Sequence, residues 1–242
     1  MAAIKTFHLC KRYGPVTAVD DLDLEIRDGE LFALLGVNGA GKTTTIKMLT
    51  CLTKPTQGDA LVGGHSILKE SDRVKQLVGV SPQETAIAPN LSVRENLEFI
   101  CGVHCFSREK TAVKIDEMSN LFSLENILDR KAGKLSGGWK RRVSIAMALI
   151  SDPSILFLDE PTLGLDVIAR YDLWTVIRSL KGRTTVVLTT HYMEEAESLS
   201  DRIGIMKDGK LLAVGTAEEI KQLTGSGDLA SAFIAITKEA QL

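Results

Sequence analysis

The sequence is poor in the features that mark several classes of protein. It has four cysteines in 242 residues and a formal net charge of −2. So few cysteines do not build the disulfide framework of a small secreted domain, and a nearly balanced charge without a basic tract does not suggest a nucleic-acid partner. No apolar run approaches the roughly 18 residues that span a bilayer, and no signal peptide is visible before the first strand-like segment. We therefore expect a protein that is made and kept in the cytosol.

Two of the cysteines lie near a histidine and raise the question of a metal site. Cys101 and Cys105 are four residues apart on a predicted helix, with His104 beside them. This spacing matches no standard zinc motif. Small buried residues on one face of a helix are the commoner explanation, so we assign no metal to these side chains.

What the sequence does contain is a glycine-rich stretch at 36–43 that fits G-x-x-x-x-G-K-[ST]. The segment 31–35 before it predicts a buried strand, and 44–52 after it predicts a helix. Glycine permits positive φ and close approach to an anion, and the N–H groups at a helix start bind phosphate. Lys42 suits the β- and γ-phosphates, and the Thr43 hydroxyl suits Mg²⁺. With about 7% glycine as background, a chance match arises in roughly 1% of such chains, so we predict nucleoside triphosphate binding.

Two apolar segments are predicted to be strands that end in side chains suited to phosphate chemistry. Asp159 and Glu160 follow the segment 155–158, and His191 follows the segment 184–189. Open α/β sheets bind ligands at the carboxyl ends of their strands. Asp159 suits the Mg²⁺ shell, Glu160 suits a general base or water-orienting group, and His191 is a candidate γ-phosphate contact. A strand ending in solvated acids is common in isolation, but its combination with a phosphate loop favours one shared site.

A second anion-binding helix start is predicted at 136–138, Ser-Gly-Gly, before an apolar helix at 143–150. A serine N-cap with a Gly-Gly entry turn is the alternative, because such turns are moderately common alone. The basic run 140–142 occupies the first turn of this helix, against the preference of the helix dipole. It indicates either an electrostatic role toward an anionic ligand or a solvated charge cluster.

The rest of the chain predicts the framework around these motifs. Residues 3–26 alternate in the manner of strands, and 85–134 has helical periodicity, with a Ser92–Glu95 capping box that opens one of its helices. We therefore expect a helical insert in an α/β domain, with a surface for a partner. By residue type alone, Tyr13 is more often a packing aromatic, and Gln83 matters only if its strand end faces the phosphate loop. Asp166 is predicted to be the N-cap of the helix at 167–180.

Five separated motifs, in this order, resemble the nucleotide-binding subunit of an ATP-binding cassette (ABC) transporter over essentially the whole chain. The resemblance implies an α/β fold: a P-loop NTPase core with a mainly parallel sheet, an N-terminal antiparallel β subdomain and a helical insert at about 85–150 of a single 1–242 domain. It implies that ATP and Mg²⁺ are bound. The residues implied to contact the nucleotide or its metal are Tyr13, which stacks on adenine, then Gly36, Val37, Asn38, Gly39, Ala40, Gly41, Lys42, Thr43, Thr44, Gln83, Ser136, Gly137, Gly138, Asp159, Glu160, Asp166 and His191.

The resemblance also implies partners and a location. Such subunits dimerise head to tail on ATP, as a homodimer or with a paralogous subunit, and drive a transmembrane permease from the cytoplasmic face of the membrane. Segments 200–206 and 210–216 resemble the drug- and sodium-exporter group. One departure is Trp139, where the family usually has glutamine, which puts the hydrogen bonds of that side chain in doubt. The alternatives are a cassette that works without a membrane, in DNA repair or on ribosomes, and a regulator that does not hydrolyse ATP.

Overall fold

The computed structural model describes residues 2–239. Its strands are, in chain order, Ala2–Tyr13 (β1), Val16–Leu22 (β2), Glu25–Arg27 (β3), Leu31–Leu35 (β4), Gln57–Val62 (β5), His65–Ser66 (β6), Val78–Ser81 (β7), Ile155–Asp159 (β8), Thr185–Thr190 (β9), Arg202–Lys207 (β10) and Lys210–Gly215 (β11). Its α-helices are Lys42–Leu49 (α1), Ser71–Leu77 (α2), Val93–Val103 (α3), Arg108–Phe122 (α4), Gly137–Leu149 (α5), Val167–Ser179 (α6), Met193–Leu199 (α7), Ala217–Thr224 (α8) and Leu229–Glu239 (α9).

The larger sheet has six strands in the order β11-β10-β4-β9-β8-β7. All neighbours in it are parallel except the hairpin of β10 and β11. Every residue of β4, β8 and β9 is buried, which explains the apolar runs 31–35, 155–158 and 186–188, because a central parallel strand is covered on both faces. On β4, Phe32 and Leu34 join one hydrophobic core, whereas Leu31, Ala33 and Leu35 join the other.

The smaller sheet is antiparallel and built from the N-terminal strands, in the order β2-β1-β5-β6 with β3 pairing β1. Its apolar face shares a core with α1 and one face of the larger sheet. Helices α3, α4 and α5 pack on one another, and α5 also lies against β7 and β8. The predicted fold class is thereby confirmed, while the boundary of the helical insert at about 85–150 stays a prediction.

Several local predictions are confirmed and others need correction. The capping box of Ser92 and Glu95 is present, and α1 ends at residue 49 rather than 52. Strand β6 and helix α2 were not predicted, since β6 has two residues and α2 buries only one side chain. His104 was expected on the apolar face of its helix, but it follows α3 as an exposed C-cap residue. Cys101 is buried and Cys105 exposed, so these two thiols do not share an environment.

No helix within residues 2–239 is both long enough and apolar enough to cross a membrane.

Candidate functional site

Four neighbouring parallel strands bring the glycine loop, His191, Asp159 and Gln83 to one edge of the larger sheet. Strand β4 leads into the glycine loop, β9 ends before His191, β8 ends at Asp159 and β7 leads to Gln83. Because these strands are parallel and adjacent, their carboxyl ends lie together. The fold therefore brings together groups that are up to 155 positions apart, as between Gly36 and His191.

A cavity of about 260 Å³ opens at this edge. The residues that line it are Ala18, Asn38, Gly39, Ala40, Gly41, Lys42, Thr43, Thr44, Gln83 and Glu160. Gln83 thus faces the phosphate loop, which was the condition set for giving it a role. Tyr13 ends β1 and is 48% exposed. It lines neither this cavity nor the second one described below, although Ala18 of the adjacent strand β2 does line the first.

The glycines of the loop serve two different purposes. Gly39 and Gly41 have φ of +85° and +104°, a region that disfavours side chains. Gly36 does not have positive φ. It is needed for space instead, because a Cβ there would lie 2.3 Å from the Met206 carbonyl oxygen on β10. The loop is therefore pressed against the strand beside it.

Lys42 and Glu160 form a buried ion pair in the cavity. The Lys42 ammonium donates to the carbonyls of Gly36 and Val37 at 2.7 and 3.2 Å and lies 3.2 Å from Glu160 Oε1. Their side chains are 6% and 5% exposed. The other carboxylate oxygen, Oε2, is 2.8 Å from His191 Nδ1. The Glu160 carboxylate, which follows β8, therefore contacts both the Lys42 ammonium and His191, which follows β9.

The backbone of Glu160 is itself unusual. Its φ is +49°, a left-handed value that is uncommon for a residue other than glycine. The conformation is held by the N–H group, which donates to the Thr189 carbonyl at 3.2 Å and to the Thr189 hydroxyl at 3.0 Å. Strained backbone of this kind is concentrated at active sites. From this backbone the Glu160 side chain contacts Lys42.

Asp159 is the centre of a small group of oxygen atoms that fits a hard cation. The Thr43 hydroxyl donates to Asp159 Oδ1 at 3.1 Å, and the Thr189 hydroxyl donates to the same oxygen at 2.5 Å. Carboxylate and hydroxyl oxygens are the ligands that Mg²⁺ prefers. Thr43 and Asp159 thus fit the predicted metal, with Gln83 in the same cavity. Thr189 orients both Asp159 and Glu160. The sequence did not reveal this role, because Thr189 lies inside an ordinary β-strand pattern.

The predicted second helix start lies at a separate cavity of about 410 Å³. Its lining includes Ser136, Gly137, Gly138 and Asp166. Ser136 has the extended backbone of an N-cap residue, yet its hydroxyl makes no capping hydrogen bond within the described structure. Asp166 is the N-cap of α6, as predicted, and accepts from the Ala169 N–H at 2.9 Å.

Trp139 is anchored at this second cavity by an arginine. The Arg142 guanidinium lies 4.9 Å from the centre of a Trp139 ring and donates to Asp172 Oδ2 on α6 at 2.7 Å. The indole is also partly buried against the core. Arg142 therefore joins α5 to α6, and Trp139 stacks on that arginine where the family residue would offer an amide.

The basic run at 140–142 is neither a uniform anion site nor a solvated cluster, because Arg141 is buried. Its guanidinium donates to the carbonyls of Pro82 and Gln83 at 2.7 and 2.5 Å. Burial lowers the pKa of Arg141, and the carboxylates of Asp159 and Glu160 act in the opposite direction. The role of this arginine was missed, since the sequence does not show which residue of the run points inward.

The sequence analysis did not identify one further buried carboxyl group, that of Glu195. Glu195 on α7 is fully buried, and Trp174 Nε1 donates to its Oε1 at 3.2 Å. Burial raises the pKa of Glu195, against the lowering effect of the hydrogen bond from Trp174. Elsewhere, His8, Asp21 and Asp23 have potential ligand atoms within 4.8 Å of one another. All three of those residues are exposed, and no role is assigned to them.

Comparison with known sequences gives relatives along most of the chain. Residues 19–163 match the ABC transporter family. The chain is 41% identical over 216 residues to the daunorubicin resistance ATP-binding protein DrrA3 of Streptomyces coeruleorubidus, covering 89% of this chain and 68% of that protein. It is 41% identical over 231 residues to the phospholipid-transporting ATPase ABCA3 of Homo sapiens, covering 94% of this chain and 14% of that protein. The chain thus spans about two thirds of the first relative and a small part of the second.

Solved structures give the same result for the fold. An ATP-binding subunit of an ABC transporter superposes with a TM-score of 0.88 at 26% identity, covering 97% of this chain and 99% of the other. A dimeric bacterial ABC transporter cassette gives 0.80 at 27% identity, covering 88% and 98%. A dimeric cassette in a post-hydrolysis state with bound ADP and Pi gives 0.79 at 27% identity, with the same coverage. These similarities agree with the resemblance predicted from the motifs.

Proposed function

The chain belongs to the ABC transporter family and is an ATP-hydrolysing cassette, and from this premise we propose that it powers a separate membrane permease which exports its cargo. The observation that carries the proposal is the pair of cavities on one chain. The first holds Lys42, Thr43 and Glu160, and the second presents Ser136 at a helix start that has no phosphate loop of its own.

In and around the first cavity, each of the predicted side chains is proposed to have a separate role. Lys42 and the loop N–H groups hold the triphosphate, since an ammonium and a helix start both attract anions. Glu160 orients the attacking water and accepts its proton, and His191 steadies the γ-phosphate beside it. The His191–Glu160 contact of 2.8 Å supports a joint action of these two groups. Tyr13 stacks on the adenine from its exposed position at the end of β1.

Mg²⁺ would be held by Thr43 and Asp159, with Gln83 touching it directly or through water. When bound, the ion neutralises the charge that develops on the phosphate oxygens. Asp159 is prepared for this role, because Thr189 and Thr43 both donate to it and hold its carboxylate in place. The side chain of Glu160, one residue later, instead forms an ion pair with Lys42.

The second cavity is proposed to complete the site of another subunit. Ser136 and the first N–H groups of α5 contact the phosphate that is held by the partner's loop, and Asp166 lies at the same interface. The arrangement is a head-to-tail dimer of two copies, or of this chain and a paralogous subunit. Support comes from the Ser136 hydroxyl, which is spare at a helix start within the described structure, and from the dimeric form of a related cassette.

The permease is proposed to contact the helical insert. Phe99 and Val103, one turn apart on α3, are both 62% exposed, and two exposed apolar side chains at this spacing form a small apolar patch. No nucleic-acid partner is proposed. The names of the drug-resistance relatives support export, and we place the subunit on the cytoplasmic face of the membrane, bound through its permease.

The docking proposal predicts that Phe99→Glu abolishes co-purification of a membrane permease from detergent-solubilised membranes. The isolated variant should keep its basal ATPase rate within about twofold, because α3 does not line either cavity among the described residues. Leu223→Glu is the matched control, since Leu223 is a 71% exposed apolar residue on a different helix, α8. Equal permease recovery with Phe99→Glu and Leu223→Glu would refute the assignment of this surface.

A further inference from the structure

Helix α5 is fastened to strand β7 along one face. Gly79 is so close to the helix that a Cβ would lie 2.1 Å from the Ala148 carbonyl. Ser81 Oγ is 3.0 Å from Ser144 Oγ. Positions 141, 144 and 148 share one side of a helix, so the side chain of Arg141 continues the same row toward the end of β7.

Arg141 makes the last contact of this row, and it makes it with the loop that carries Gln83. Its two terminal nitrogens donate to two consecutive carbonyls, those of Pro82 and Gln83. The residue is 5% exposed. A buried guanidinium without partners would be costly, and a planar fork can bridge two carbonyls where an ammonium cannot reproduce the geometry. The contact therefore fixes the two peptide groups that flank the Cα atom of Gln83.

We propose that Arg141 is a positioning residue for ATP hydrolysis: it holds Gln83 in the nucleotide cavity and ties that position to the helix that begins at Ser136. The inference rests on the roles of Gln83 and Ser136 proposed above. Arg141 is assigned no contact with nucleotide, because it is buried and lines neither cavity. Its effect on the reaction passes through the loop.

The test compares Arg141→Lys with Gln83→Ala and with the double variant, in the intact chain. We measure kcat by phosphate release, the Kd of a fluorescent ATP analogue and the midpoint of thermal unfolding. Arg141→Lys should lower kcat at least fivefold and leave the Kd within twofold, because the phosphate loop is untouched. In the Gln83→Ala background it should lower kcat no further, since coupled residues are not additive.

Arg178→Lys is the matched control. Arg178 also donates two hydrogen bonds to a backbone carbonyl, that of Ser198, at 3.3 and 3.2 Å, but it is exposed. Its substitution should leave kcat within twofold. If Arg141→Lys is not recovered folded, Arg141→Gln is judged by the same criteria.

Three results would overturn the proposal. They are an unchanged kcat in the Arg141 variant, losses that multiply in the double variant, and a loss of analogue binding that parallels the loss of kcat. The kcat of Gln83→Ala alone shows separately whether Gln83 has the proposed function. If Gln83→Ala alone keeps the wild-type kcat, the function proposed for Gln83 fails, and any effect of Arg141→Lys then arises by another route.

Discussion

The ion pair between Lys42 and Glu160 predicts that Glu160→Gln binds ATP more tightly than the wild type. The ammonium and the carboxylate are 3.2 Å apart and nearly inaccessible to water. ATP competes for the same ammonium, so binding must break this attraction. Glutamine has nearly the same shape and no charge, so the variant leaves Lys42 ready for an anion.

The size of the effect follows from the separation of the charges. At 3.2 Å and an effective dielectric constant of about 20, the attraction is about 5 kcal/mol. The net value is smaller, because the carbonyls of Gly36 and Val37 keep their hydrogen bonds to Lys42 and the glutamine oxygen can still accept one. We expect about 1.4 kcal/mol of this attraction to oppose ATP binding, so the Kd for ATP should fall about tenfold in Glu160→Gln. Turnover should fall by about 10²- to 10⁴-fold with the loss of the base.

Two assays check this prediction in the purified chain: titration of ATP under conditions without turnover, and phosphate release. The charge-removing control is Glu195→Gln, which changes a fully buried carboxyl group that pairs with Trp174 rather than with Lys42. It should leave the Kd for ATP unchanged. An ATP affinity of Glu160→Gln equal to that of the wild type would show that the ion pair does not oppose binding. Normal turnover would remove Glu160 from the reaction.

Two further predictions concern the glycine loop and the tryptophan. Gly41→Ala should lower the unfolding midpoint and abolish ATP binding, because its φ is +104° and the new Cβ would lie 2.3 Å from the Ala18 carbonyl. Gly39→Ala should lower the free energy of unfolding by only about 1–2 kcal/mol, measured by thermal unfolding, because its φ is +85° but the space around it is open. Trp139→Gln should lose about 0.5–1 kcal/mol of stability with the Arg142 stacking contact, whereas Trp139→Phe should retain most of it, again by thermal unfolding. Equal midpoints for the two glycine variants, or for the two tryptophan variants, would contradict these accounts.

Much of the site could be predicted from the sequence because its parts are local. The phosphate loop is contiguous, and Asp159, Glu160 and His191 each follow an apolar strand. Their convergence follows from the rule for parallel sheets rather than from any contact that the sequence displays. The family assignment and the ATPase activity are likewise confirmed. The roles of the individual site residues stay predictions.

The parts that escaped prediction depend on packing between elements. Arg141 stands in a run of three basic residues, and only its alignment with Ser144 and Ala148, two small residues, hints that it faces inward. Gly36 needs space rather than a special φ, because β10 lies beside it, and that neighbour comes from 170 residues further along the chain. Neither relation is visible in a local pattern.

The left-handed backbone at Glu160 has a consequence for any attempt to make this protein more durable. Glycine would occupy φ of +49° without strain, so a search for heat-resistant variants is expected to favour its introduction at this position, at the expense of the carboxylate. The chain therefore keeps a residue with a strained backbone at this position because catalysis requires its carboxylate. Selection for thermostability and selection for turnover favour different residues here.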